Sequence, residues 1–81
     1  MVLYGKGEIR MRIEKWFINR VADGTSIIYG FVYDNPQFEN GTYIHTSKIV
    51  DIDKNFKWVR TMNSTYELGE KGNGREYFRN I

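Results

Sequence analysis

Apolar and polar residues alternate along most of this chain, and the breaks in the alternation are as informative as the regular stretches. The clearest stretch is residues 41–69, GTYIHTSKIVDIDKNFKWVRTMNSTYELG, which reads as three antiparallel strands joined by two tight turns. A two-residue turn at Asn63-Ser64 sets Thr61 opposite Tyr66 and Val59 opposite Leu68. A second turn at Lys54-Asn55 sets Ile52 opposite Lys57 and Val50 opposite Val59. Side chains alternate faces along a strand, so Val50, Ile52, Val59, Thr61, Tyr66 and Leu68 are predicted to share one buried face.

Toward the N-terminus, Val2, Leu3 and Tyr4 form a candidate short edge strand beside Gly5 and Gly7. From Glu8 onward, Ile9-Arg10-Met11-Arg12-Ile13 alternates strictly, as a half-buried strand does. The phase then slips, because the next apolar pair at spacing two is Trp16 and Ile18. One extra residue around Glu14-Lys15 restores the facing, which predicts a β-bulge there. The competing reading is a helix with Ile9, Ile13, Trp16 and Phe17 on one stripe, but β-branched and aromatic residues favour the strand.

Ala22-Asp23-Gly24-Thr25 is a hairpin signal, and residues 26–33 form the next strand, apolar on both faces apart from Gly30. Burial on both sides, or one aromatic-rich face left open, accounts for that pattern. A glycine in mid-strand predicts a bend or a close approach of another backbone. Residues 34–41, DNPQFENG, are the one long loop and hold the only proline. After Gly69 the tail EKGNGREYFRNI reads as a flexible joint followed by a short segment with Tyr77, Phe78 and Ile81. The expected fold is all-β: a small SH3-like barrel, or failing closure a strongly bent five-stranded antiparallel sheet. It forms one domain over 1–81, with its core in 8–69 and a flexible C-terminal segment in 70–81.

Composition narrows the chemistry. Without cysteine there is no disulfide framework and no thiolate ligand or nucleophile. With one histidine, a zinc site needs carboxylates for its remaining ligands, so no metal and no cofactor is expected. The N-terminus carries charges where an export signal needs an apolar run, and no stretch nears membrane-spanning length, so the expected setting is cytoplasmic, without a membrane partner. Twelve basic residues interleave with ten acidic ones, for a net charge of +2, so nucleic acid is a permitted partner and not an indicated one. A monomer and a homodimer both fit.

His45 beside Ser47 and Asp51 invites a catalytic triad. In a strand, however, the Cα atoms of His45 and Ser47 lie about 6.5 Å apart, and no strained nucleophile turn or oxyanion hole is visible. Asp51 and Asp53 read as solvated carboxylates, and calcium loops need more oxygen ligands than this stretch supplies. The glycines from Gly69 to Gly74 lack the ending of a phosphate loop. The chain is therefore not expected to be an enzyme.

Two binding classes remain. For protein contact, the candidates are Tyr33, Asn35, Pro36 and Phe38 in and beside the long loop, with His45 flanking it on the following strand. Phe38 as a plug of the barrel end is the structural alternative. For single-stranded nucleic acid or RNA, the candidates are Lys54, Phe56, Lys57, Trp58 and Arg60, an aromatic platform among cations, with Lys15 near.

Tyr29-Gly30-Phe31-Val32-Tyr33, Asn35-Pro36-Gln37-Phe38-Glu39-Asn40-Gly41-Thr42, Ile44-His45-Thr46-Ser47-Lys48-Ile49-Val50 and Ser64-Thr65-Tyr66-Glu67-Leu68-Gly69 together resemble a group of small bacterial and phage-associated β-proteins. The shared pattern is Pro-x-Phe-x-x-Gly-Thr, then Thr-Ser-x-Ile-Val, then Ser-x-Tyr-x-Leu-Gly, across roughly the middle fifty residues. The resemblance implies a mobile-element setting and names no activity. Together with the small size and the missing catalytic machinery, that setting leads to the expected role, a non-enzymatic protein-binding module such as an anti-CRISPR-type inhibitor of host defence. The group has His before the loop proline, where this chain has Asn35.

Overall fold

The computed structural model describes residues 11–74 and, for their backbone, Leu3–Tyr4 and Glu8–Ile9. Eight strands run in chain order: β1 (Leu3–Tyr4), β2 (Glu8–Ile9), β3 (Met11–Arg20), β4 (Ser26–Tyr33), β5 (Thr42–His45), β6 (Ile49–Ile52), β7 (Trp58–Thr61) and β8 (Thr65–Leu68). The first two pair with each other as a small antiparallel ribbon, so the short N-terminal strand is present. The other six form one sheet in the order β5-β4-β3-β8-β7-β6. The described residues are all-β, as expected, but the sheet has six strands and does not close. It is also mixed, because β3 and β8 run parallel, with Met11 opposite Tyr66 and Ile13 opposite Leu68.

The phase slip in β3 is a bulge. Glu14 pairs with Phe31 and Phe17 with Tyr29, so β3 spends one residue more than β4 between the two pairs. Lys15 occupies the left-handed region (φ 55°), and this returns Trp16 and Ile18 to the face already taken by Met11 and Ile13. The bulged backbone presses on β4. A Cβ at Gly30 would stand against Ile13 Cγ2 and 2.9 Å from the Glu14 carbonyl oxygen, so the mid-strand glycine marks a close approach. The β3–β4 turn is a three-residue loop: Val21 N–H donates to Thr25 O and Gly24 N–H to Val21 O, with Gly24 at φ 87°.

Ile13, Trp16, Ile28, Val32, Val59, Tyr66 and Leu68 form the core, with Met11, Ile18, Ile44, Ile49 and Ile52 packed around it. Burial of Val59, Thr61, Tyr66 and Leu68 together agrees with the predicted face. The pairing itself is shifted by two residues, because Val59 stands opposite Tyr66 and the hairpin turn is Met62-Asn63. The parity survives a two-residue shift, so the faces survive too. Val50 is the exception. Ile49 pairs with Thr61, Asp51 with Arg60 and Ile52 with Val59, which leaves Val50 on a bulge with 54% of its surface exposed. Ile49 takes the core position expected for Val50.

Beyond β8 the chain stays with β3. Gly69 N–H donates to Ile13 O, Trp16 N–H to Glu70 O, and Gly72 N–H to Trp16 O, with the Trp16 indole N–H on Gly69 O at 3.0 Å. Residues 69–72, read from sequence as a flexible joint, therefore extend the parallel pairing past the bulge. Tyr77, Phe78 and Ile81 lie outside the described residues.

The two edge strands of the sheet, β5 and β6, are consecutive in the chain and joined by residues 46–48 alone. Six strands laid flat would separate their outer members by about 24 Å. The link spans at most about 14 Å when extended. The sheet must therefore curl until its edges approach. Thr46 ties the start of this link to β4: its N–H donates to Ile28 O at 2.9 Å, and its buried hydroxyl accepts the Ile28 N–H and donates to Ser47 O.

Candidate functional site

Two surfaces hold the residues singled out from sequence, and the structure treats them differently. The loop at 34–41 folds on itself. Asn35 and Pro36 open a β-turn in which Phe38 N–H donates to Asn35 O, while Asn35 Oδ1 accepts the Gln37 N–H at 2.8 Å. Thr42 N–H returns to Glu39 O, and Asn40 Oδ1 holds the Asp34 N–H. Asn35 itself is buried, and its amide donates to the Tyr66 hydroxyl at 3.4 Å, so it ties the loop to the core. Pro36 and Phe38 remain outside. Phe38 is 41% exposed, so it does not plug the end of the sheet. A cleft of about 540 Å³ lies between this loop and the β7–β8 turn, lined by Met11, Asn35, Pro36, Gln37, Asn63 and Ser64.

Tyr33 and His45 do not flank the loop together. Tyr33 stands at its start under the Arg12 guanidinium, 4.6 Å from the ring centre. His45 closes the far end of β5 opposite Tyr29, three strand residues and about 10 Å from the loop. There it belongs to a set of cross-strand pairs on the outer face of β3, β4 and β5. Phe17 stacks on Tyr29 (centroids 5.0 Å apart), Tyr29 meets His45, and Phe31 meets Tyr43 edge-on. These half-buried rings cover one another, which is why residues 26–33 read as apolar on both faces. Asp51 bonds Arg60 at 3.4 Å and the Ile52 N–H, so the His45, Ser47 and Asp51 seen in sequence make no relay.

The second surface is the β6–β7 hairpin. Asp53 starts a type I turn, accepting the Phe56 N–H on its carbonyl and the Lys57 N–H on its carboxylate, so the loop has four residues, 54–57, and not the two expected. Phe56 adopts φ 57°, a left-handed conformation that an aromatic residue takes only under constraint, and its ring stacks on Trp16 at 5.8 Å while half of it faces solvent. Along β7 the inward Val59 and Thr61 leave Trp58 and Arg60 pointing out, and Met62 follows in the turn.

Of the five exposed large hydrophobic residues among those described, three lie in this hairpin, Val50, Phe56 and Trp58, and a fourth, Met62, directly follows it in the β7–β8 turn; they are between 37% and 61% exposed. Val50 and Met62 were not marked by the sequence reading. The missed signal was the spacing of Ile49 and Ile52, which calls for a bulge just as Ile13 and Trp16 do. Of the candidate nucleic-acid residues, Lys54, Phe56, Lys57, Trp58 and Arg60 all sit on this hairpin and are exposed. Lys15 pairs with Glu70 instead, on β3.

Among the described residues, no group of three His, Asp or Glu side chains is placed to hold a metal ion. No helix among them is long and apolar enough to cross a membrane. Searches against family models, curated proteins and solved structures returned no match.

Proposed function

We propose that this chain is a non-enzymatic binding module that acts by protein–protein contact through the outer surface of its β6–β7 hairpin. The observation that carries this reading is the concentration of exposed Val50, Phe56, Trp58 and Met62 on and directly after one hairpin, with Phe38 the one other exposed large hydrophobic residue among those described. Aromatic residues, methionine and arginine are what interface centres use, and water-exposed apolar side chains in a cluster gain free energy when a partner covers them. An oligonucleotide would stack on Trp58 and Phe56 but gains little from Val50 and Met62. Arg60, the one guanidinium on this face among the described residues, is already shared with Asp51. Nucleic acid is therefore the second reading.

The resemblance noted from sequence sets the proposal in a bacterium or its phage. The role we assign is inhibition of a cytoplasmic defence complex by occupying its surface, in the manner of an anti-CRISPR. Immobilised protein is exposed to bacterial extract with and without nuclease, alongside a Trp58→Ala/Met62→Ser variant. The bound component is then purified and its affinity measured calorimetrically. The expected result is a nuclease-resistant protein that rebinds when pure and is lost with the variant. Retained material that disappears on nuclease treatment would assign the surface to nucleic acid. Expression in a host with active defence should raise phage plating efficiency, and unchanged plating would remove the inhibitor role.

A further inference from the structure

Building on the protein-binding reading, we infer that the segment docking on the β6–β7 face is acidic: an apolar stretch of a partner protein flanked by Asp or Glu. The positive charge sits beside the exposed apolar residues. Residues 48–62 carry Lys48, Lys54, Lys57 and Arg60 against Asp51 and Asp53, a net +2, which is the net charge of the whole chain. The remaining residues balance eight basic against eight acidic. Residues 48–62, which hold four of the five exposed large hydrophobic residues among those described, carry a net +2, whereas the other described residues, 11–47 and 63–74, carry four basic against six acidic side chains.

Three of the four cations stand at the ends of the apolar row, and the fourth, Arg60, lies within it. Met62 N–H bonds Lys48 O at 3.1 Å, so Lys48 stands at the Met62 end. Lys54 and Lys57 stand at the other end, in the loop that carries Phe56 and leads into Trp58. Between them Arg60 is held by Asp51, and Glu67, opposite Trp58 on β8, is already engaged within the chain. Asp53 spends its carboxylate on the Lys57 N–H. The three lysines at the two ends are exposed; Lys54 and Lys57 have no acidic partner among the described residues, and Lys48 has Asp23 of the β3–β4 turn near enough to act on its carboxylate. A segment about four strand residues long, some 13 Å, would cover the row from Trp58 to Met62 and bring its flanks to the lysines. Acidic flanks meet complementary potential there, and basic flanks meet repulsion.

The test is selection of displayed random short peptides on the wild-type protein, with Trp58→Ala/Met62→Ser as the control surface. Trp58 emission reports binding while the buried Trp16 stays constant. The expected result is enrichment of peptides with Asp or Glu on both sides of an aromatic or aliphatic centre. Their affinity should fall by at least about tenfold in Lys48→Glu/Lys54→Glu/Lys57→Glu, as charge reversal at an interface rim requires, and by a comparable factor in Val50→Ser/Met62→Ser. Far-UV circular dichroism confirms that these surface variants fold. Three outcomes overturn the inference: no enrichment over the control surface, enriched peptides that are neutral or basic, or affinity indifferent to the lysine reversal. Neutral peptides that still depend on Trp58 would overturn the acidic partner and leave protein binding standing. Oligothymidylate or oligouridylate that binds where no peptide does, with a steep loss on adding salt, would overturn both.

Discussion

At the scale of single residues, two valines nine positions apart were assigned the same environment by alternation and received opposite ones. Val59 is fully buried and Val50 is mostly exposed. Val59→Ala should cost about 1–3 kcal/mol through lost burial and the cavity left behind. Val50→Ser should stay within about 0.5 kcal/mol, as surface changes do. Urea unfolding of the two variants with unchanged slopes checks both values. Asp23 offers a titration of known sign. Its carboxylate accepts the Thr25 hydroxyl at 2.6 Å and the Thr25 N–H at 3.0 Å, and these bonds hold its pKa below the usual 3.8. A lowered folded-state value contributes stability above the unfolded value, and that contribution is lost as pH falls through the folded one. Thr25→Val removes the larger of the two bonds, so the midpoint, followed by carboxyl NMR, should rise toward the ordinary value. An unchanged midpoint would mean that the hydroxyl bond does not form in solution.

At the scale of elements, what could be read was whatever local pattern dictates. The β3 bulge was visible because the apolar phase of Ile13 and Trp16 cannot be met by a regular strand. The Asp-Gly turn was visible because only a residue tolerant of positive φ ends that loop. Faces in the β7–β8 hairpin were legible because parity is insensitive to a two-residue shift. The β6–β7 register was not, since nothing in Lys54-Asn55 demands a two-residue turn, whereas Asp53 can nucleate a longer one. The loop at 34–41 looked poised for recognition, yet Asn35 faces inward to Tyr66, a contact with no local trace. The bulge and Gly30 act as one unit. In Gly30→Ala the added carbon would stand against Ile13 Cγ2 and the Glu14 carbonyl, and the backbone atom cannot rotate away. A loss of about 1–3 kcal/mol in chemical unfolding is expected, as for overpacked cores. A neutral effect would show that β3 and β4 lie further apart than described.

At the scale of the whole molecule, the sheet is centred on a pairing that no turn announces. Strands β3 and β8 run parallel although more than fifty residues separate Met11 from Tyr66. Turn chemistry specifies antiparallel neighbours, so a sequence reading built on turns arrives at an antiparallel sheet. The short link at 46–48 then bends the six strands until β5 and β6 approach, without the hydrogen bonds that would complete a barrel. One consequence reaches function. The rings outside β3, β4 and β5 cover one another, while the β6–β7 hairpin, last in the sheet, presents its apolar row to solvent.

The claim that this row is the contact surface is tested most directly by site-specific photo-crosslinking in bacterial cells. A benzophenone amino acid replaces Trp58 in one variant and Phe38 in another. The expected result is a protein adduct from position 58 that survives nuclease and weakens when Lys48, Lys54 and Lys57 are reversed. An adduct formed from position 38 alone, or one from position 58 that nuclease removes, would contradict it.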